Sequence, residues 1–146
     1  MRYSLKRATN ADRAFAERLH EDCYRDVVTR QFGAWDSAVQ SRFFEQKWQP
    51  EHYSIIMFEN EAIGVLAVHD GPDHLLLSEI QICPSHQGRG IGSAIVAGLI
   101  ERGRKQKISV RLQVLRCSRA RALYERLGFI CSEHTDTHLL FEKRCA

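Results

Sequence analysis

The sequence lacks any long hydrophobic run. No window approaches the roughly 18 apolar residues of a membrane-spanning helix, because charge or glycine interrupts each stretch, so no membrane partner is expected. The opening Met1-Arg2-Tyr3-Ser4-Leu5-Lys6-Arg7 has basic residues but no apolar core behind them and no small-residue cleavage site. It does not read as a signal peptide, and a cytoplasmic location is expected. A Cys-x-x-Cys pair is also missing. The five cysteines, Cys23, Cys83, Cys117, Cys131 and Cys145, form an odd set without metal-ligand spacing, which argues against a disulfide framework and a zinc site and predicts reduced thiols. The net charge of +3 is small and the basic residues are dispersed, so a nucleic-acid partner has no support.

What remains is an ordinary globular composition, 44% hydrophobic and 27% charged over 146 residues. A chain of that length buries roughly two thirds of its unfolded surface, and residues 1–146 read as a single domain. Tyr3 to Lys6 suits a strand, and Thr9-Asn10-Ala11-Asp12 supplies caps for a helix carrying Phe15, Leu19 and Cys23. A second helix is expected from Asp36 towards Trp48, with Val39, Phe43, Phe44 and Lys47 at spacings of three and four and Pro50 closing it. Tyr53–Phe58, Ala62–Val68 and Leu75–Ile82 then read as three antiparallel strands. Ser93–Arg104 has an apolar face of Ile95, Val96, Leu99 and Ile100, and Ile108–Leu115 alternates as a strand, giving a strand-helix-strand crossover. A short helix from Arg119 to Leu127, stopped by Gly128, precedes two last strands ending near Glu142.

The informative segment is Gln87-Gly88-Arg89-Gly90-Ile91-Gly92, between a strand and a helix starting near Ser93. Alternating glycines let a backbone approach a ligand closely. A helix N-terminus directs free N–H groups and the positive end of its dipole outward, which suits a phosphate or pyrophosphate, and Arg89 can add a charge-assisted contact. Tight packing alone is the competing explanation for the glycines. The segment has no Gly-Lys-Ser/Thr ending as in a P-loop, and no β-α-β opening with a ribose-binding acid.

Gln87-x-x-Gly90-x-Gly92 resembles the pyrophosphate-binding motif, Gln/Arg-x-x-Gly-x-Gly/Ala, of the GNAT superfamily of N-acetyltransferases. The stretch from Arg119 to Phe129, with Ala120, Tyr124, Gly128 and Phe129, resembles that family's second signature, Ala-x-x-x-Tyr-x-x-x-Gly-Phe. The Arg7–Asp12 junction is also similar, so the resemblance spans nearly the whole chain. It implies an α/β (α+β) fold with a mixed sheet of about six or seven strands, splayed between strands 4 and 5 and flanked by about four helices. The thioester arm of acetyl-coenzyme A, as co-substrate, would lie in that V. Backbone groups of Ile80 and Ile82 would run beside the pantetheine, and the amides of Gln87, Gly88, Arg89, Gly90, Ile91, Gly92 and Ser93 would hold the pyrophosphate. Many relatives carry Asn just before the second-signature helix; here Ser118 stands there, able to cap the helix and offering a shorter reach to the cofactor.

Direct acetyl transfer needs a neutral amine, a stabilised oxyanion and a proton for the departing thiolate. The resemblance implies Tyr124 as general acid, with an aromatic anchor as its alternative role. Glu79 is the one acid on the fourth strand, among leucines and isoleucines whose company implies burial. Base, amine anchor and structural residue stay open for it. An acetyl-cysteine route through Cys83 or Cys117 is disfavoured, since neither has a His-Asp partner pattern. Acceptor specificity is expected from Tyr24, Arg30, Phe32, Trp35, Arg42 and Trp48, with Trp35 and Arg42 as substrate-binding candidates; Phe43, Phe44 and Trp48 also suit a helix core. His134 and His138 stand four apart with no third ligand, so a metal site is not expected. The expected activity is N-acetylation of a primary amine of a small molecule or peptide. A non-catalytic acyl-coenzyme A sensor and a protein N-terminal or lysine acetyltransferase are the alternatives, and strand pairing leaves a homodimer open.

Overall fold

The computed structural model of the chain describes residues 3–144; Cys145 lies outside them, and the other four cysteines are free thiols. In chain order the elements are β1 (Tyr3–Arg7), α1 (Arg13–Phe32), α2 (Ser37–Lys47), β2 (Tyr53–Phe58), β3 (Glu61–Asp70), β4 (His74–Ile82), α3 (Ile91–Gln106), β5 (Ser109–Leu115), α4 (Arg121–Arg126), β6 (Ile130–His134) and β7 (His138–Lys143). Their boundaries follow local chemistry. The Thr9 hydroxyl accepts from the Ala11 N–H at 3.2 Å and the Asp12 carboxylate accepts from the Thr9 N–H at 2.9 Å, which caps a 3-10 turn leading into α1. Asp36 caps α2 by accepting from the Val39 N–H at 3.1 Å. Glu59 and Asn60, both at positive φ (50° and 66°), make the two-residue turn joining β2 to β3.

The seven strands form one sheet in the order β1-β2-β3-β4-β5-β7-β6. Of the pairings only β4 with β5 is parallel, as the α3 crossover requires. Strand residues alternate between two cores. Ile56, Leu66, Leu75 and Leu77 meet Ile95, Val96 and Leu99 of α3 on one face. Ile55, Val65 and Ala67 meet Ala16 and Leu19 of α1 and Phe44 of α2 on the other. Phe43, grouped with Phe44 by spacing, is instead 57% exposed: α2 rests only one stripe on the sheet, and adjacent helix positions point about 100° apart. No helix among the described residues is long and apolar enough to cross a membrane.

Two irregularities of β4 create the site. The first is that β4 and β5 pair only from His74–Leu77 to Ser109–Leu112, after which β4 continues to Ile82 alongside β3, and β5 to Leu115 alongside β7. The sheet splays between its fourth and fifth strands, as expected from the resemblance. The second is a bulge: Ala67 pairs with Glu79 and Val68 with Leu77, leaving Ser78 without a partner on β3. One extra residue flips the faces of all that follow, so Glu79 and Gln81 share the α1/α2 side with Ala67 and Val65, although Leu75 and Leu77 face α3.

Candidate active site

The parting strands open onto a cleft of about 660 Å³. Its walls are Leu77–Ile82 of β4, Leu112–Leu115 of β5, the Asp22–Arg30 side of α1, the loop before α3, and the segment from Ser118 to Tyr124.

One part of the wall is the glycine loop. Gly88 (φ +76°) and Gly90 (φ +81°) take left-handed conformations that cost other residues roughly 1–2 kcal/mol. A Cβ added at Gly88 or Gly92 would meet no atom within 4 Å, so the glycines are not demanded by packing against the protein itself. The first α3 hydrogen bond runs from the Ala94 N–H to the Gly90 carbonyl at 3.0 Å, which leaves the preceding N–H groups without helical acceptors. Among the described residues the N–H groups of Gly88, Arg89 and Gly90 have no acceptor. This bare row of donors at the N-terminus of a 16-residue helix fits a pyrophosphate. The side chains differ in their use. Gln87 turns back, donating from Nε2 to the Ile82 carbonyl at 2.8 Å and bracing the loop on β4. Ile91 is buried in the α3 core and offers only its backbone, Arg89 is exposed, and Ser93 is half-buried.

The Ile82 carbonyl also accepts from the Cys23 thiol at 3.4 Å, so of the two β4 positions expected beside the pantetheine, Ile82 has its carbonyl engaged. Burial, aided by nearby Cys83, pushes the Cys23 thiol up to about 12, and burial also raises Cys83; both stay protonated and poorly nucleophilic. Ser118 lines the cleft and its hydroxyl accepts from the Ala120 N–H at 3.1 Å, a turn that delivers the chain into α4.

The cleft is also lined by a polar cluster centred on Glu79. Glu79 is 6% exposed and its carboxylate is held from three sides. Oε2 accepts from the Tyr24 hydroxyl at 2.9 Å and from Gln81 Nε2 at 3.0 Å, while Oε1 takes an ion pair with Lys47 Nζ. These donors offset the loss of water around the charge. Tyr124 is 4% exposed, its ring against Phe129 and Phe141, and its hydroxyl makes no hydrogen bond among the described residues. Burial first, then the Glu79 charge, pushes its phenol up to about 12; the same two causes raise Tyr24 and Tyr53.

The cleft thus gathers Glu79, Tyr124, Gln87, Gly88, Gly92, Ser118, Ile80 and Ile82, together with Tyr24 and Arg30. Trp35 and Arg42 are not brought to it: Trp35 packs 5.9 Å from His20 over a separate shallow hollow, and Arg42 lies exposed on α2. Phe44 and Trp48 are stacked in the core. Sequence reading missed Lys47 and Gln81 as partners of Glu79; strand alternation could have found Gln81, two residues on along β4, but no local signal exists for Lys47. His134 and His138 flank the β6–β7 turn, and among the described residues no group of three or more His, Cys, Asp or Glu is placed to hold a metal.

The sequence model described as the Acetyltransferase (GNAT) family matches residues 14–129, and the chain belongs to that family. Solved structures share its fold. PaiA N-acetyltransferase from Thermoplasma acidophilum, in complex with coenzyme A, is 14% identical with a TM-score of 0.78 over 99% of both chains. The ribosomal-protein-S18-alanine N-acetyltransferase from Escherichia coli is 18% identical with a TM-score of 0.70 over 99% of this chain and 95% of its own. Ard1 from Thermoplasma volcanium is 15% identical with a TM-score of 0.67 over 100% and 99%. No curated protein matches the chain in sequence.

Proposed function

We propose that the chain transfers the acetyl group of acetyl-coenzyme A directly to a primary amine of a small molecule or peptide, in one ternary complex. The observation that carries this reading is a single cleft lined both by the loop with unsatisfied helix N-terminal donors and by a buried carboxylate and phenol. Amides of the Gly88–Gly92 loop hold the pyrophosphate, and the unpaired edge of β4 past Leu77 accompanies the pantetheine. That the solved PaiA structure is a coenzyme A complex agrees with this.

Tyr124 acts at the sulfur. Its phenol, at about 12, is a weaker acid than an alkyl thiol near 8.5, so full proton transfer to a thiolate is uphill by about 5 kcal/mol. Its hydroxyl therefore serves as a hydrogen-bond donor that stabilises the charge developing on sulfur, where the absence of a competing partner leaves it free to turn. Glu79 receives the proton of the attacking ammonium or holds that ammonium in place, since Oε1 has a lone pair beyond the one used by Lys47. Tyr24 and Gln81 fix the carboxylate plane from the Oε2 side.

Calorimetry with coenzyme A, followed by thiol release from acetyl-coenzyme A against a panel of amines, amino acids and peptides, tests the reading. Saturable binding and amine-dependent thiol release are expected. Binding without turnover on any acceptor would leave a non-catalytic acyl-coenzyme A sensor instead, and absence of binding would remove the proposal altogether.

A further inference from the structure

Lys47 occupies an unusual place. It sits in the last turn of α2, yet its Nζ reaches across to β4, where it donates to the Ser78 carbonyl at 3.3 Å and pairs with the Glu79 carboxylate. Both acceptors line the cleft. The Ser78 carbonyl belongs to the bulge residue that β3 leaves unpaired, and Glu79 faces this side only because of that bulge. Two oxygens of the cleft wall therefore form a cradle for one primary ammonium, and a primary ammonium of the chain itself rests in it. The Lys47 side chain is 46% exposed, so nothing in the packing locks it there. None of Lys6, Lys105 or Lys107 has a comparable carboxylate.

Resting on the acetyl-transfer reading above, we infer that Lys47 Nζ occupies the seat of the acceptor amine and is itself an acceptor, so that the chain acetylates Lys47 in cis when no free amine competes. The step balances without further reagents. Glu79 takes one proton from the ammonium, and the neutral nitrogen attacks the thioester carbonyl. An N–C bond forms and the C–S bond breaks, giving the Lys47 acetamide and coenzyme A. Of the three ammonium protons, one stays on the amide nitrogen, one ends on the thiol and one is released through Glu79. The acetamide carries no charge, so the modification also removes the cation that neutralises Glu79 and opens the cradle to an incoming ammonium.

The test is intact-mass and peptide mass spectrometry of the purified chain with acetyl-coenzyme A and no amine, run at several protein concentrations beside calorimetry of coenzyme A binding. The expected result is one acetyl group on Lys47, gained at a first-order rate independent of protein concentration and at least about tenfold faster than at Lys6, Lys105 or Lys107, because the amine is held at the reacting centre. An added acceptor amine slows it. If coenzyme A binds and free amines are acetylated while Lys47 stays unmodified, or gains acetyl no faster than the other lysines, the inference is overturned and the transferase reading stands. If coenzyme A does not bind, both fall. Lys47→Arg, checked for folding by circular dichroism, retains the ion pair and must lose the modification; persistence of one acetyl per chain in that variant would also overturn the assignment.

Discussion

Tyr124→Phe separates fold from chemistry more cleanly than any other substitution in this cleft. The ring stays, so its contacts with Phe129 at 5.7 Å and Phe141 at 6.3 Å are retained. The hydroxyl that is removed has no hydrogen-bond partner among the described residues, so no buried donor or acceptor is orphaned and the fold is expected to shift by no more than about 0.5 kcal/mol. For a chain of this size that is a change in Tm of about 1–3 °C. In the proposed role the transition state loses its donor at the leaving sulfur, and deletion of one such preorganised donor costs about 100- to 1,000-fold in kcat, or roughly 2.7–4 kcal/mol. The assay is thiol release at saturating acetyl-coenzyme A and amine, with coenzyme A affinity measured separately by calorimetry. Affinity within about twofold, a Tm within about 3 °C of the parent and a kcat lowered by about two orders of magnitude are expected. A kcat within about threefold of the parent would show that Tyr124 only anchors α4, and the role given to its hydroxyl would have to be withdrawn.

Three further outcomes follow from the same geometry. Gly90→Ala forces a side chain into a φ of +81°, and should cost about 1–2 kcal/mol in urea unfolding and weaken coenzyme A by at least about tenfold in calorimetry, because the donor row moves with the loop. Gly64→Ala would drive a Cβ into the Gln81 carbonyl oxygen, a backbone atom that cannot yield, so a loss of about 2–3 kcal/mol is expected in denaturant titrations; an unchanged midpoint would contradict the β3–β4 register. Alkaline stability carries a sign. Tyr124 ionises near 12 when folded, Tyr24 and Tyr53 are likewise raised, and all three ionise near 10 in the unfolded chain. The unfolded state then binds fewer protons above about pH 10, so their contribution is complete below that value and is lost as pH rises towards 12; urea midpoints should fall over that interval, and less steeply in Tyr124→Phe.

Local patterns carried most of the fold. Capping residues Thr9, Asp12 and Asp36, the strand runs Tyr53–Phe58 and Ala62–Val68 and the apolar face Ile95-Val96-Leu99 are decided by neighbours in sequence, and the elements they predict are present within two or three residues. The glycine loop was legible for the same reason, since positive φ and missing Cβ atoms leave a mark in composition. What escaped depends on where distant surfaces meet. Trp35 and Arg42 have the right chemistry for an acceptor pocket, but α2 carries Arg42 outward and the α1–α2 turn carries Trp35 to another hollow. Lys47 looked like one more polar residue at helical spacing, and only the crossing of α2 over β4 gives it a carboxylate.

The bulge at Ser78 ties these gains and misses together. Leu75-Leu76-Leu77-Ser78-Glu79-Ile80-Gln81-Ile82, read as a regular strand, puts Glu79 on the face of Leu75 and Leu77, in the apolar core under α3, where a carboxylate would have no donors. One unpaired residue moves it to the side where Tyr24 and Lys47 stand, and leaves a spare carbonyl for Lys47 as well. The parallel pairing with β5 ends just before it, at Leu77, so the same stretch of β4 leaves the sheet ladder on one edge and changes face. Cleft and carboxylate are therefore not independent features. A change that restored regular pairing with β3 through Ser78 would return the Glu79 side chain to the α3 core and remove the cradle in one step.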